Sequence, residues 1–393
     1  MRIAMIGQKG IPARYGGVEK AVEELSARLV QRGHHVTAFN RREADRPQPA
    51  EHRGIELRYV PAFGGKHMLN MTQSIGGTIS TLLKHYDIVH YHALGPCLAS
   101  PIARLRPSSR LVVTIQGRDD QRAKWSRPAQ LVLSTAAWMS ANVPHGGIAV
   151  SQQLQREFRD QFGKDTVYIP NGVAVVPEQE ISAEDDPLPR FGLTPGRYLV
   201  NIGRLVPEKA IDQLLRAWTK VDTDLRLAIV GGSSHTDDFV DRLHRLAAQD
   251  ERIVLTGPVY GPGQDRLFRN AAGYVMPSLL EGLPLALLEA ISYGLPVTVS
   301  DIPPHLEVVG SSEPGQRVFK AGDLDDMAKQ LQLMVDDIAG ERDAAQLLHD
   351  RVIDEFSWER VTDKTEEYYE SLLGRSGGRV RAARTGRKVL SRA

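Results

Sequence analysis

The first thirty residues, MRIAMIGQKGIPARYGGVEKAVEELSARLV (1–30), contain a strand, a loop and a helix in immediate succession. Residues 3–6 are an apolar run, residues 7–17 are rich in Gly and Pro, and apolar residues then recur at helical spacing up to Leu29. The same order repeats downstream, and strands that alternate with helices favour right-handed crossovers and a parallel sheet. Further strands of this first series are predicted at residues 35–39, 87–92, 110–115, 146–150 and 167–169.

A change of composition divides the chain into two halves. Four prolines and five acidic residues fall between positions 177 and 195, as is typical of a linker. After it, a second series predicts strands at 198–203, 226–231, 252–257, 274–277 and 296–300, and helices at 324–337 and 340–354. We therefore predict an α/β architecture of two Rossmann-like halves that face a cleft. Its segments are 1–175, the linker 176–196, 197–356, a helix at 357–374 and a basic tail at 375–393.

Size and composition are typical of a globular protein. The chain has 393 residues, of which 41% are hydrophobic and 25% charged. This length is sufficient for two domains of ordinary size. No apolar run approaches the roughly 18–20 residues of a membrane span, and the first residues lack the pattern of a signal peptide. Because Cys97 is the single cysteine of the sequence, no intramolecular disulfide can form. This is typical of a protein in a reducing compartment. We therefore expect a cytoplasmic protein.

The net charge of +1 hides a basic C-terminus. From Arg375 onward there are seven Lys or Arg and no acid, which leaves the rest of the chain acidic. The tail is either a solvated chain end or a polybasic segment held near anionic lipid, at roughly 1 kcal/mol per basic side chain. An acidic body with few clustered aromatic residues argues against nucleic acid as a partner.

The first candidate site is the loop that follows the opening strand, because ligands of open parallel sheets bind at the carboxyl ends of strands. Gly16 and Gly17 precede a helix, where backbone amides and the helix dipole favour a phosphate. The spacing differs from the dinucleotide motif G-x-G-x-x-G, and the next strand ends in FNRR (39–42), without the acid that binds ribose. A nicotinamide-dependent dehydrogenase is therefore disfavoured. The simpler alternative is that these glycines only form turns.

The second candidate site follows the first strand of the second half, where residues 203–209 read GRLVPEK. The planar guanidinium of Arg204 and the compact ammonium of Lys209 both suit a pyrophosphate. Lys209 is expected at the start of the helix that runs to Trp218. The alternative is a pair of solvated cations near a helix start.

The third candidate site is the most specific, EGLPLALLE at residues 281–289. Glu281 is expected in the loop before a helix and Glu289 on that helix, a little over two turns further on. The backbone amides of Leu283 and its neighbour Gly282 would be free to bind hydroxyls or phosphate. Glu289 lies among apolar residues, where a lone acid is costly without partners, and ribose hydroxyls would supply them. The alternative is that both are surface acids at a helix start.

These three motifs, in this order, resemble glycosyltransferase family 4. The resemblance covers nearly the whole chain, as far as Phe356-Ser357-Trp358, and the opening KGIPARYGGVE further resembles a bacterial rhamnosyltransferase-like subgroup of polysaccharide-biosynthesis enzymes. It implies a GT-B fold with the acceptor on the first half, a nucleoside-diphosphate sugar on the second, and retention of the anomeric configuration. It also implies that the helix at 357–374 crosses back to the first half.

The resemblance implies a role for each candidate residue. Glu281 would contact the donor sugar and Glu289 the ribose. The diphosphate would be neutralised by four groups, which are Arg204, Lys209 and the backbone amides of Gly16 and Gly17. Fixed cations stabilise the charge that grows on a leaving oxygen, so Arg204, Lys209 and Glu281 are the catalytic candidates.

No metal or other cofactor is expected. The sequences at 222–224 and 323–325 mimic a metal-binding D-x-D, but they precede a predicted strand and a predicted helix, where turn and cap roles explain them. Two other classes of function stay open. One is a GT-B nucleotide-sugar epimerase or hydrolase that uses no acceptor, and the other is a non-catalytic carbohydrate-binding protein.

One departure from the family concerns the acceptor side. Many relatives carry a His after the strand at 110–115, where this chain has Gln116. His92 and Arg118 are the other candidates there, although a strand-end histidine is more often a packing residue. We predict a lipid-linked or growing cell-surface glycan as the acceptor, with an anionic membrane surface as a partner of the basic tail. Segment 122–141 either rests against that membrane or is an ordinary packed helix.

Overall fold

The computed structural model describes residues 1–13, 16–43, 47–65, 68–118, 120, 127–175, 177, 181–182, 184–233 and 236–375. Within these residues the chain forms an eight-stranded sheet in its first half and a six-stranded sheet in its second. The predicted fold class, α/β with two Rossmann-like domains, is confirmed. The tail from residue 376 onward and residues 122–126 of the predicted membrane-facing segment lie outside the described residues.

In the first sheet the strand order reverses at a central strand, and one edge strand runs antiparallel to the others. Its strands are β1 (Arg2–Ile6), β2 (His35–Arg41), β3 (Glu51–His52), β4 (Ile55–Val60), β5 (Ile88–His92), β6 (Arg110–Ile115), β7 (Gly146–Ala149) and β8 (Val167–Tyr168). The order is β3-β4-β2-β1-β5-β6-β7-β8, and only β3 runs antiparallel, against β4. The sequence analysis did not predict β3 and β4, because β4 buries only alternate residues and so lacks a continuous apolar run.

The second sheet repeats this plan with fewer strands. They are β9 (Tyr198–Ile202), β10 (Arg226–Val230), β11 (Ile253–Gly257), β12 (Gly273–Met276), β13 (Val297–Ser300) and β14 (Gln316–Phe319). The order is β11-β10-β9-β12-β13-β14, and all neighbours are parallel. The edge strand β14 was not predicted, since Phe319 is its one fully buried residue.

The helices lie between the strands, as the alternating pattern predicts. In the first half they are α1 (Gly17–Gln31), α2 (Leu69–Leu83), α3 (Ser100–Ala103), α4 (Arg127–Asn142) and α5 (Gln152–Phe162). In the second half they are α6 (Pro187–Arg190), α7 (Ile211–Trp218), α8 (Asp237–Ala247), α9 (Pro262–Arg269), α10 (Leu285–Ser292), α11 (Pro303–Val309), α12 (Leu324–Asp336), α13 (Ile338–Glu355) and α14 (Trp358–Leu372). Among these described helices, none is both long and apolar enough to cross a bilayer.

The strand order creates one crevice in each sheet. β1 pairs with β2 on one side and β5 on the other, and β9 likewise pairs with β10 and β12. At such a switch point the connections leave in opposite directions, which opens a binding crevice at the carboxyl ends of the strands. The Gly-rich loop follows β1, and the segment that begins at Gly203 follows β9. Both predicted phosphate-binding loops therefore lie at these crevices.

The C-terminal helix α14 packs on α1 of the first half. Two chain segments cross there, because the N–H of Val173 donates to the carbonyl of Phe356 at 2.7 Å and the indole of Trp358 fills the space beside Gly172. Further along the helix, the hydroxyl of Tyr369 lies 2.6 Å from a ring nitrogen of a buried histidine on β5. The last described helix thus ties the two halves together at their junction.

Candidate functional site

Glu281 and Glu289 lie at the edge of the second sheet that faces the first half. Glu281 is in the loop after β12, and Glu289 is on α10, which begins after Pro284. The two side chains are only 11% and 12% exposed. No described side chain caps the N-terminus of α10, so the first amides of this helix point to the cleft without a side-chain acceptor.

Lys209 and Glu281 form an ion pair that joins two loops of the second half. Lys209 does not start α7 but ends a 3-10 turn, Pro207–Lys209, that precedes the helix. The carbonyl of Glu208 accepts a hydrogen bond from the N–H of Leu279 at 2.8 Å, which fixes this turn against the loop that carries Glu281. The Nζ of Lys209 donates to Oε1 of Glu281, and both side chains are largely buried.

The Glu281 carboxyl remains ionised in spite of its burial. Burial raises its pKa, but Lys209, with smaller contributions from His305 and Ser278, outweighs this effect, and the pKa lies below its ordinary value. Behind the pair, His305 is fully buried, with its Nδ1 3.0 Å from the hydroxyl of Ser300. Burial lowers the pKa of His305 to about 4, so this imidazole is neutral near pH 7. A fixed carboxylate and ammonium with little surrounding water act strongly on a bound polar ligand.

Glu289 is held by a residue of the other half. The Nζ of Lys20, on the first turn of α1, lies 2.6 Å from Oε1 of Glu289, and the amide of Gln264 donates weakly to Oε2 at 3.4 Å. The Lys20 side chain is 45% exposed, so solvent reaches one side of this contact. The sequence analysis did not find Lys20, because its role depends on how the two halves meet.

The Gly-rich loop lies opposite the start of α10. Gly16 is the N-cap of α1, no described side chain caps that end, and Gly17 is so close to the second half that an added Cβ would be 3.1 Å from Cδ1 of Leu285. The N-termini of α1 and α10 therefore face each other across the cleft. Two helix N-termini that no described side chain caps form an environment that favours an anion between them.

The two halves approach each other closely at Gly282. A Cβ on Gly282 would overlap the carbonyl oxygen of Gln116, at the end of β6. Next to it, the side-chain amide of Asn171 donates to the carbonyl of Leu283 at 3.1 Å. The first half thus fixes the backbone of the loop that carries Glu281. The sequence analysis did not assign Asn171 to the site.

Arg204 lies at the carboxyl edge of the second sheet, at the other end of the loop from Lys209. It follows Gly203, whose carbonyl packs against Gly231 so tightly that a Cβ there would overlap it. Arg204 itself is half-buried. The two predicted cations therefore share one loop, which is anchored at both ends.

The acceptor-side candidates lie in three different environments. His92 is buried at the end of β5, where burial lowers the pKa of its imidazole to about 3 and its Nε2 contacts the sulfur of Met5 at 3.4 Å. Gln116 is half-buried and meets the second half through its backbone. Arg118 is buried and bound by Asp120 at 2.7 Å and Glu157 at 3.1 Å. The structure thus gives Arg118 an internal ion-pair network and gives His92 a packing position, and only Gln116 lies at the cleft.

The two D-x-D sequences have structural partners. The carboxylate of Asp323 caps α12 by accepting hydrogen bonds from the N–H groups of Asp325 and Asp326, each at 3.1 Å, as its position before a helix predicts. The carboxylate of Asp224 pairs with the guanidinium of Arg197 on the surface.

The buried histidines predict how stability depends on pH. The pKa values of His90, His92 and His305 lie below the ordinary 6.5 because these side chains are buried, and the pKa values of His34 and His145 are lowered in the same direction. The fully buried His90, His92 and His305 are neutral when folded and take up a proton on unfolding below about pH 6.5. The free energy of unfolding should therefore be at its full value above pH 6.5. It should fall as the pH drops toward 5, by up to about 1.4 kcal/mol per pH unit for each fully buried histidine.

Urea unfolding at pH 7.5, 6.0 and 5.0 measures this dependence in a range where unfolded carboxyl groups titrate little. The variant His305→Gln should show a shallower loss of stability than the parent. An unfolding free energy that stays constant over these three pH values would contradict the neutral, buried state of these imidazoles.

Two family models match the two halves of the chain. Residues 15–175 match the model described as "Glycosyltransferase Family 4", and residues 196–337 match "Glycosyl transferases group 1". Among curated relatives, the phosphatidyl-myo-inositol mannosyltransferase of Mycobacterium tuberculosis is 26% identical over 400 residues, which cover 98% of this chain and 100% of the relative.

Solved structures show the same fold along the whole chain. Sucrose-phosphate synthase from Thermosynechococcus elongatus superposes with a TM-score of 0.83 at 20% identity, covering 95% of this chain and 100% of that one. HepE of Anabaena, solved in complex with UDP-glucose, superposes with a TM-score of 0.77 at 18% identity, covering 94% and 100%. These likenesses establish the GT-B arrangement of the two domains.

Proposed function

Since this chain is a glycosyltransferase with the GT-B fold, we propose that it transfers a hexose, with retention of configuration, from a nucleoside-diphosphate donor to a cell-surface glycan or lipid-linked acceptor. The observation that carries the proposal is the buried pair of Lys209 and Glu281 beside Glu289, at the crevice of the second sheet. A neighbour of the same fold holds UDP-glucose, and one relative is named for mannosyl transfer to phosphatidyl-myo-inositol. The reaction would take place in the cytoplasm, at the inner face of the membrane. The enzyme would belong to the rhamnosyltransferase-like subgroup.

The proposed chemistry is control of charge at the diphosphate. The bond between the anomeric carbon and the diphosphate oxygen breaks, the acceptor hydroxyl oxygen bonds to that carbon, and the hydroxyl proton leaves to the diphosphate or to solvent. Negative charge therefore grows on the leaving oxygen, and Arg204, Lys209 and the amides of Gly16 and Gly17 would stabilise it without rearrangement. We propose that these groups suffice without a metal or other cofactor.

The two glutamates would position the donor. Glu281 keeps a low pKa beside Lys209, so it can accept hydrogen bonds from sugar hydroxyls as a carboxylate. Glu289 would accept from the ribose hydroxyls, and the amides of Gly282 and Leu283 would bind donor oxygens. Because the ammonium of Lys20 occupies Oε1 of Glu289, ribose binding would exchange one partner of this carboxylate for another.

This exchange predicts the effect of Lys20→Gln on donor affinity. Removing the ammonium removes the competitor for Glu289, and a partly exposed ion pair is worth about 0.2–1 kcal/mol. The dissociation constant of the donor should therefore fall about twofold to fivefold in isothermal titration calorimetry, whereas Glu289→Gln should raise it. A weaker binding of donor by Lys20→Gln would show that Lys20 itself binds the donor.

A panel of sugar nucleotides tests the proposed function. We expect one donor to be hydrolysed slowly alone and faster with a glycan or lipid-linked acceptor, and nuclear magnetic resonance of the product should show the same anomeric configuration as the donor. Conversion of the donor without any dependence on acceptor would favour an epimerase or hydrolase. Tight donor binding without turnover would favour a carbohydrate-binding protein.

A further inference from the structure

Helix α2 has its polar side turned inward. Its buried residues are Gln73, Ser74, Gly77, Thr78 and Thr81, and the amide of Gln73 donates to the carbonyls of Gln8 and Phe39 at 2.8 and 3.0 Å. No residue of α2 is charged, and its exposed residues are Asn70, Ile79 and Leu83, the last at 86% exposure. A helix at a water-exposed surface ordinarily has the opposite polarity, so the exposed side of α2 is suited to contact an apolar phase.

Helix α4 presents a second uncharged surface next to it. Residues 128–142 contain no charged side chain, and Leu131, Val132 and Trp138 are exposed. Both α2 and α4 pack against the 3-10 turn Gly95–Ala99, so they lie on the same side of the first sheet. The described part of segment 122–141 thus packs on one side, through Ala136 and Ala137, and exposes apolar side chains on the other.

One more exposed leucine connects the two helices. Leu105, 76% exposed, lies just beyond α3. On one side of it the guanidinium of Arg104 donates to the carbonyl of Val143 beyond α4, and on the other side Arg106 donates to the carbonyl of Leu82 in α2. Leu105 thus lies between the C-terminal ends of both helices. We call this continuous surface the outer face; it consists of Met68, Ile79, Leu83, Leu105, Leu131, Val132 and Trp138.

The part of the chain that forms the outer face is strongly basic. Residues 68–142, from Met68 to the end of α4, contain eight Lys or Arg and three Asp or Glu, whereas the whole chain contains 49 and 48. Among the basic residues, Arg104 and Arg127 are exposed beside the outer face, whereas Lys84, directly after α2, pairs with Glu56 at 3.2 Å. Exposed apolar side chains with a cationic border are the pattern of a protein surface that lies on anionic lipid.

We infer that the outer face docks on an anionic lipid surface. Basic side chains near such a surface contribute roughly 1 kcal/mol each, and apolar side chains enter the boundary of the acyl chains. A second copy of the chain is a poorer occupant, because a two-fold dimer would bring the same basic border together with itself. The surface is convex helix rather than a groove, which also disfavours a single peptide ligand.

Docking in this way would place the cleft beside the membrane. Helices α2 and α4 follow the carboxyl ends of β4 and β6, so their N-terminal ends lie on the cleft side of the first half. A lipid-linked acceptor could then reach the crevice without leaving the bilayer. This consequence rests on the proposed function, whereas the docking itself does not.

Vesicle flotation tests the inference. Full-length protein should float with vesicles of phosphatidylcholine and phosphatidylglycerol, and much less with phosphatidylcholine alone. The triple variant Leu83→Glu, Leu105→Glu, Trp138→Glu changes only exposed positions and should reduce the floated fraction at least tenfold. The matched control Leu347→Glu changes an 80% exposed leucine of the second half and should float like the parent. A chain that ends at Leu373 should still float, because the outer face remains.

The inference would be overturned by a triple variant that floats like the parent, or by loss of flotation in the chain that ends at Leu373. It would also be overturned if the parent were a dimer that the triple variant dissociates, since the second copy would then be the occupant. Hydrolysis of a water-soluble donor is expected to be unchanged in the triple variant. That readout separates failure of the docking from failure of the proposed function.

Discussion

The variant Lys209→Ala is expected to lower kcat about 100- to 1000-fold while the protein stays folded. The Lys209 ammonium is largely buried in the loop between β9 and α7. Removal of one fixed hydrogen-bond donor to a developing oxyanion lowers kcat by about 100- to 1000-fold. The change also leaves the Glu281 carboxyl in place without its partner. Burial is then opposed less strongly, so the pKa of Glu281 should rise and the acid limb of the kcat profile should move to higher pH.

Two further variants separate the catalytic effect of Lys209 from a structural one. Lys220→Ala is the matched control, because Lys220 pairs with Asp325 on the exposed surface of the same half, and its kcat should stay within about twofold of the parent. The double variant Lys209→Ala, Glu281→Gln should lose much less than the product of the single losses, because the two residues act as a pair. A kcat of Lys209→Ala within threefold of the parent at saturating donor would remove Lys209 from the catalytic residues.

The sequence predicts the interior of both sheets well and their edges poorly. Central strands such as β1 and β6 are buried on both faces and appear as apolar runs. Strands at or next to an edge, such as β14 and β4, bury fewer residues, so no run marks them. The loops of the candidate site were found for the same reason as the central strands, because ligand-binding loops must follow those strands in a parallel sheet.

The contacts between the halves could not be predicted from the sequence. Lys20 reaches Glu289, and Asn171 reaches Leu283, only because two separate domains meet at one angle. The polarity of α2 was missed for a different reason. Helical periodicity shows that a helix has two sides, but it does not show which side faces the sheet.

The variant Gly282→Ala is expected to lower kcat/KM about 100-fold or more. A single Cβ at this position would overlap the carbonyl oxygen of Gln116, and neither backbone can yield without moving its loop. The loop carries Glu281, and a displacement of about 1 Å in a reacting group can cost about 100-fold in rate. The free energy of unfolding should change by less than about 1 kcal/mol, because Gly282 lies in a loop between domains and not in either core.

The matched control for this variant is Gly117→Ala, on the opposite side of the same contact. Its Cβ would be 3.9 Å from the nitrogen of Gly282, which is an ordinary van der Waals distance, so its kcat/KM should remain near that of the parent. Donor affinity should be nearly unchanged in Gly117→Ala but weaker in Gly282→Ala, because the displaced loop carries Glu281 and the amides of Gly282 and Leu283 that are proposed to bind the donor. If Gly282→Ala turned over like Gly117→Ala, the closed contact between Gly282 and Gln116 would not belong to the catalytic arrangement, and Glu281 would have to act with the domains further apart.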